Sequence, residues 1–270
     1  MEDFMPRYRP TRKCARLASL TITIALLAGC VTSPEGRSQL ALFSNQELDA
    51  QGAAAFAEIS AQTATLQGAQ ADYVSCVADA ITAQVPASSG YSQWQVRLFD
   101  SDEVNAFALP GGYIGVYRGL LGVAADQNQL AAVIGHEVAH VLAHHANERV
   151  SNTTLTQYGL GVAQSLGGEQ LGSLLGLGAQ YGVLLPYSRR QESEADVLGL
   201  DLMARAGFEP QAAITLWNNM ERATQGATQP EWASTHPDSQ RRIAELQNRL
   251  SIAEPLYRAA QSEGRRPSCG

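Results

Sequence analysis

Two histidines four residues apart, with a glutamate beside the first, occur at His136-Glu137-Val138-Ala139-His140. In a helix, residues four apart lie one turn on and only about 40° round, so both imidazoles reach one ion. Glu137 then reaches a water next to that ion, which is the arrangement zinc-dependent peptide hydrolysis needs. The motif has this meaning only on a helix, and Val133, Ile134, Val138, Val141 and Leu142 supply the apolar face of one. The pattern predicts a buried helix over Asp126–Val150.

A catalytic zinc takes three protein ligands and keeps one position open. Ala143 and Ala146 stand where a glycine and a third histidine would extend the motif, so the third ligand comes from elsewhere. The segment Arg189-Arg190-Gln191-Glu192-Ser193-Glu194-Ala195-Asp196 offers carboxylates. Glu192 and Asp196 share a helix face. Glu192 can bind the metal while Asp196 accepts the ring N–H of a ligand histidine and fixes its tautomer. Glu194 lies about 200° round from Glu192 and is expected to point away. His144 and His145 are expected on the helix surface or behind the ligands.

The N-terminus does not read as part of the fold. Arg7, Arg9, Arg12, Lys13 and Arg16 precede an apolar run, Leu17–Ala28, of secretory-signal length and too short to cross a bilayer. It ends in Leu27-Ala28-Gly29-Cys30, a lipobox pattern in which cleavage leaves Cys30 to carry lipid. Residues 1–29 are expected to be removed, 30–43 to form a lipidated tether, 44–262 to fold as one domain and 263–270 to form a tail. Val31 after the cysteine favours the outer membrane, and the protein is expected to face the periplasm. Outside the cytoplasm thiols tend to pair, and a Cys76–Cys269 disulfide is weighed slightly ahead of two free thiols. The formal net charge of −7, with no basic stripe, excludes a nucleic-acid partner.

Ser44 or Asn45 caps a helix through Glu47, Leu48, Phe56 and Ile59, and a second helix spans Tyr73–Val85. Strands follow: Trp94, Val96 and Leu98 alternate with polar neighbours, and Val104–Leu109 and Tyr113–Tyr117 flank the turn Pro110-Gly111-Gly112. Residues 159–186 are rich in Gly and Leu, and a packed helical hairpin is preferred there over a membrane-dipping segment. Helices resume over Ser188–Ala206, Pro210–Thr224 and Ser239–Leu250, with Gly207 as a C-cap and Pro210 as a start. The fold class is α+β and zincin-like: mostly helical, with a small β-sheet beside the zinc helix.

His136-Glu137-x-x-His140 followed by Glu192-x-x-x-Asp196 resembles the gluzincin family of membrane-associated metalloproteases. That family includes the CAAX prenyl proteases, the HtpX heat-shock protease and periplasmic lipoprotein proteases. Asn105-Ala106-Phe107-Ala108-Leu109-Pro110-Gly111-Gly112 with Gly119-Leu120-Leu121 resembles the strand segment ahead of the family's zinc helix. Ser188-Arg189 through Gly199 resembles its second metal helix, and Thr235-His236-Pro237 with Arg242 a C-terminal motif. The likeness covers roughly residues 45–250. It implies one Zn2+ per chain on His136, His140 and Glu192, an endopeptidase reaction, and unfolded or misassembled envelope proteins as substrates.

Further roles remain open. Asn105, Ala106, Phe107 and Ala108 suit an exposed edge that pairs with an extended peptide. His236 is read as an inhibitory fourth ligand, a partner of the tetrahedral intermediate, or a structural turn residue. His236, Arg242, Tyr187 and Arg189 are candidate oxyanion donors. A competing function is a chaperone-like binding protein with a latent zinc site, working with the outer-membrane assembly machinery.

Overall fold

A computed structural model describes residues 30–161, 187–224, 235–236 and 239–270. The expected hairpin at 159–186 and the signal segment therefore lie largely or wholly outside the described residues. The described residues begin with a small antiparallel hairpin of β1 (Cys30–Thr32) and β2 (Ser38–Leu40), with Cys30 exposed. Ser33 and Gln39 are nevertheless buried. The Gln39 amide donates to the Ala143 carbonyl at 3.0 Å, so this segment is docked on the domain.

Helix α1 (Asn45–Gln62) starts with a reciprocal cap: the Glu47 N–H donates to Ser44 Oγ, and the Ser44 N–H donates to the Glu47 carboxylate. Helix α2 (Ala69–Thr82) buries Val74, Val77, Ala78 and Ile81 on one face. The sheet follows, with β3 (Gln95–Phe99), β4 (Ala106–Leu109) and β5 (Tyr113–Tyr117) in the order β3-β5-β4. β5 runs parallel to β3 and antiparallel to β4. Gly111 and Gly112 both take positive φ, 89° and 84°, in the three-residue loop 110–112 that joins the paired Leu109 and Tyr113. Alternation splits the sheet's two faces. Leu98, Ala106, Ala108, Ile114 and Val116 enter the main core, while Phe99, Phe107 and Leu109 meet Phe56 of α1.

Helix α3 (Gln127–Leu142) is capped by Asp126, which accepts from the Asn128 and Gln129 N–H groups. Every residue from Gln129 to Val141 is buried. The expected single helix through Val150 is instead two. The chain breaks at Ala143–His144, where His144 takes φ 53°, and α4 (His145–Gly161) starts in a new direction. A left-handed non-glycine residue costs roughly 1–2 kcal/mol, and the break here places His145 beside His140.

Helix α5 (Arg189–Ala206) opens with a second reciprocal cap, Ser188 with Gln191, and ends on Gly207 at φ 93°. Helices α6 (Gln211–Thr224) and α7 (Ser239–Ser262) follow among the described residues. The last helix passes through Pro255 rather than stopping at Leu250. The tail beyond it is also held: Cys269 pairs with Cys76 of α2, and the Gln127 amide donates to the Pro267 carbonyl. Among the described residues, no helix is long and apolar enough to cross a membrane.

Candidate metal centre

The centre forms where α3 and α5 cross. Gly135 and Gly199 occupy the crossing and let the two backbones touch. Beside that crossing, His136 and His140 of α3 meet Glu192, about two turns before Gly199 on α5, and His236 enters from the segment before α7. One ligating atom from each of these four residues lies within 4.8 Å of the others, and all four residues are buried.

The donor set fits a tetrahedral cation. Ligands about 2.0–2.1 Å from such an ion sit roughly 3.3–3.4 Å apart. His136 Nε2 is 3.0 Å from His140 Nε2 and 3.1 Å from His236 Nδ1. Glu192 Oε2 lies 3.5 Å from His136 Nε2, and Glu192 Oε1 lies 3.6 Å from His140 Nε2. Two imidazoles aiming the same nitrogen at one point cannot satisfy each other as neutral rings with Nδ1 protonated, whereas a cation between them satisfies both. Nitrogen and carboxylate donors in a buried tetrahedral set suit zinc.

Electrostatics prepare the same set. Burial, with His136 adding to it, drives His140 well below the usual histidine range, so it is neutral. Burial opposes ionisation of Glu192, but His236 and Arg242 overcome it and hold this carboxyl well below its ordinary value. For His136, burial and Arg242 resist charging, yet Asp196 and Glu192 push the ring up to about 9. A cation at the site must displace that proton, as metal sites commonly do.

Behind the ligands stand their supports. Asp196 Oδ1 is 3.1 Å from His136 Nδ1. Arg242 is fully buried, and its Nε and Nη2 donate to the two Asp196 oxygens at 2.6 Å each. Its Nη1 lies 2.6 Å from Glu192 Oε2, and its guanidinium covers the Trp217 ring at 3.8 Å. The guanidinium is thus spread over both α5 carboxylates, a bidentate geometry that only arginine supplies. Glu137 is 2 % exposed, with Oε1 3.4 Å from His236 Nε2.

Tyr187 stacks on His140 at 3.8 Å, and Arg149 caps the other side of Tyr187 at 4.0 Å. Asn105 is buried, and β4, which carries Ala106, Phe107 and Ala108, is one of the two edge strands of its sheet among the described residues. Ala108 and Pro110 line the same cleft as His140, His144 and Tyr187. The strand expected as an exposed edge is therefore buried here, and of Asn105, Ala106, Phe107 and Ala108 only Ala108 borders this cleft.

Of the two places expected for His145, the helix surface or behind the ligands, it takes the second, while Arg149 near the site was not legible as such. His145 is fully buried, with Nδ1 2.9 Å from His140 Nδ1 and Nε2 3.1 Å from Glu194 Oε2. On a continuous helix, residue 145 would point about 140° away from residue 140, so only the break at His144 brings them together. Arg149 is likewise placed by the second helix. Glu194 does face away from Glu192, but onto His145 rather than into solvent. Burial raises its carboxyl, while His145, Ser33 and Arg37 outweigh that and bring it to about 2.

Residues 68–250 match Peptidase family M48. The mitochondrial metalloendopeptidase OMA1 of Schizosaccharomyces pombe is 38 % identical over 177 residues, covering 63 % of this chain and 51 % of the relative. The human mitochondrial metalloendopeptidase OMA1 is 34 % identical over 175 residues, with 58 % and 33 % covered. A beta-barrel assembly-enhancing protease of Escherichia coli O157:H7 is 30 % identical over 180 residues, with 63 % and 37 % covered. The matched region spans about half or less of each of these curated relatives.

Proposed function

This chain belongs to Peptidase family M48, and we propose that it is a zinc-dependent endopeptidase of the bacterial cell envelope that degrades unfolded or misassembled proteins. The observation that carries the reading is the convergence of His136, His140 and Glu192 with Glu137 one residue from the first ligand. The similarity to a protease that enhances β-barrel assembly supports an envelope substrate class. The lipobox at Leu27–Cys30 supports anchoring through a lipid at Cys30, at the periplasmic face and in the outer membrane. The OMA1 relatives are mitochondrial, so the envelope setting rests on the signal segment and the bacterial relative together.

The roles follow from position. His136, His140 and Glu192 hold the ion, which when bound polarises the scissile carbonyl and makes water a nucleophile at neutral pH. Glu137 takes the proton from the attacking water and returns it to the leaving amine. Asp196 accepts from His136 Nδ1 and so keeps its Nε2 free. Arg242 acts as a positioning residue, because its guanidinium is engaged by the two carboxylates of α5. Tyr187, stacked on His140, is better placed than Arg242 to meet the oxyanion. The β4 edge with Asn105, Ala106, Phe107 and Ala108 pairs with an extended backbone, which selects unfolded chains over folded ones.

The test is cleavage of an unfolded protein such as reduced casein by the full chain, with zinc content recorded. The wild-type chain is expected to cut and to carry one zinc. Glu137→Gln is expected to keep the zinc and lose cleavage. Cleavage at the wild-type rate by Glu137→Gln would overturn the mechanism. A zinc-loaded wild type that binds unfolded protein without cutting it would favour a chaperone-like binding protein.

A further inference from the structure

We propose that His145 and Glu194 form a positioning relay that aims His140 at the metal, and that Arg37 makes the N-terminal hairpin part of the same centre. The inference rests on the metallopeptidase reading above and goes beyond its ligands.

The relay follows from donor and acceptor counts. His140 can bind metal through Nε2 only in the tautomer that carries its proton on Nδ1. That proton needs an acceptor, and the nearest group is His145 Nδ1 at 2.9 Å. His145 Nδ1 can accept only if its own proton sits on Nε2, and Nε2 faces Glu194 Oε2 at 3.1 Å. A carboxylate accepts and does not donate, so it fixes the His145 tautomer, which in turn fixes that of His140. His136 receives the same service directly from Asp196. The two ligand histidines therefore have matching supports, one a carboxylate in contact and one a carboxylate acting through an inserted imidazole.

Glu194 is itself held by the segment after Cys30. Arg37 Nε donates to Glu194 Oε2 at 3.0 Å, and its Nη1 and Nη2 donate to the two Glu148 oxygens at 2.5 and 2.7 Å. The Glu35 N–H adds a contact to Glu194 Oε1 at 3.4 Å. On the domain side, the Gln191 amide bridges Glu148 and the His145 carbonyl. His145 is fully buried and the Glu194 side chain nearly so, so water does not compete for these bonds. A hairpin that would otherwise serve only as a spacer thus reaches a metal ligand through three side chains: Arg37, Glu194 and His145.

The experiment compares the full chain with His145→Phe, His145→Asn, Glu194→Gln and Arg37→Ala. Zinc affinity is measured by competition with a chelator, and the melting temperature of each metal-free chain is recorded. Loss of a group that orients a metal ligand typically weakens metal binding by about 10–100-fold. That loss is expected for His145→Phe and Glu194→Gln, with a smaller loss in the same direction for Arg37→Ala. His145→Asn places an amide oxygen where Nδ1 stood and is expected to recover most of the affinity. A purely structural role would follow the metal-free melting temperature and would not separate Asn from Phe. Zinc affinity within about twofold of wild type in both His145→Phe and Glu194→Gln, or equal losses for Phe and Asn, overturns the relay. A wild-type chain that takes up no zinc would overturn the underlying metal-site reading as well.

Discussion

Gly135 and Gly199 lie back to back where α3 crosses α5: a Cβ on Gly199 would sit 2.7 Å from the His136 nitrogen, and one on Gly135 2.8 Å from the Gly199 carbonyl oxygen. Real side chains do not approach backbone so closely, so the crossing distance is set by the absence of both. That distance also decides whether Glu192 reaches the ion held by His136 and His140. Gly199→Ala is expected to push the helices apart, destabilise the chain by about 1–3 kcal/mol and weaken zinc binding. Thermal unfolding with and without zinc reads both effects. A variant that keeps wild-type stability and zinc affinity would remove the crossing from the account of the site.

Arg242 neutralises two buried carboxylates at once, Asp196 through a two-pronged contact and Glu192 through Nη1. Removing one member of a buried charge cluster leaves the others uncompensated, at a cost of about 3–5 kcal/mol. Arg242→Met is expected to lose that much in urea unfolding of the metal-free chain. Arg242→Lys is expected to recover little, because an ammonium lacks the fork and the flat face that covers Trp217. Wild-type stability in Arg242→Met would show that the cluster does not depend on its cation.

What could be read from the sequence was what repeats with the period of a helix or strand. His136 and His140 share a face because they are four apart, as do Glu192 and Asp196, and Ser44 with Glu47 announces a helix start three residues ahead. The two glycines after Pro110 required a turn, and the turn required a hairpin. What could not be read depends on where the chain departs from its period. Nothing in Ala143-His144-His145 announces a left-handed residue, yet that one residue decides between the two places expected for His145 and puts it behind His140 rather than on the helix surface. Likewise Arg37 stands 111 residues before Glu148 and 157 before Glu194, so no local pattern relates them. Pro255 would ordinarily end a helix, but α7 continues through it to Ser262.

The disulfide joins residues separated by 193 positions and ties the C-terminal tail to α2. A bridge closing so long a loop removes much freedom from the unfolded chain, and loss of a native bridge usually costs about 2–4 kcal/mol. The double variant Cys76→Ser with Cys269→Ser is expected to unfold at lower urea concentration by that margin. Zinc affinity is expected to be unchanged, since the bridge takes no part in the ligand supports. A matching drop in zinc affinity would mean that the tail reaches the site through α3, where Gln127 binds Pro267.

His236 holds the fourth corner of the ligand group, with Nδ1 3.0 and 3.1 Å from the two Glu192 oxygens and 3.1 Å from His136 Nε2. A tetrahedral ion bound by His136, His140, Glu192 and His236 has no position left for water, and catalytic sites keep one. Its other nitrogen, Nε2, faces Glu137 at 3.4 Å, so in this position it also occupies the space beside the general base. Withdrawal of one side chain would free both places together. His236→Ala is therefore expected to bind zinc more weakly than wild type and to cut unfolded protein faster once loaded. Rates measured at saturating zinc separate the two effects. If the loaded variant cuts more slowly instead, His236 assists the reacting groups alongside Glu137, and the resting site is open to water without it moving away.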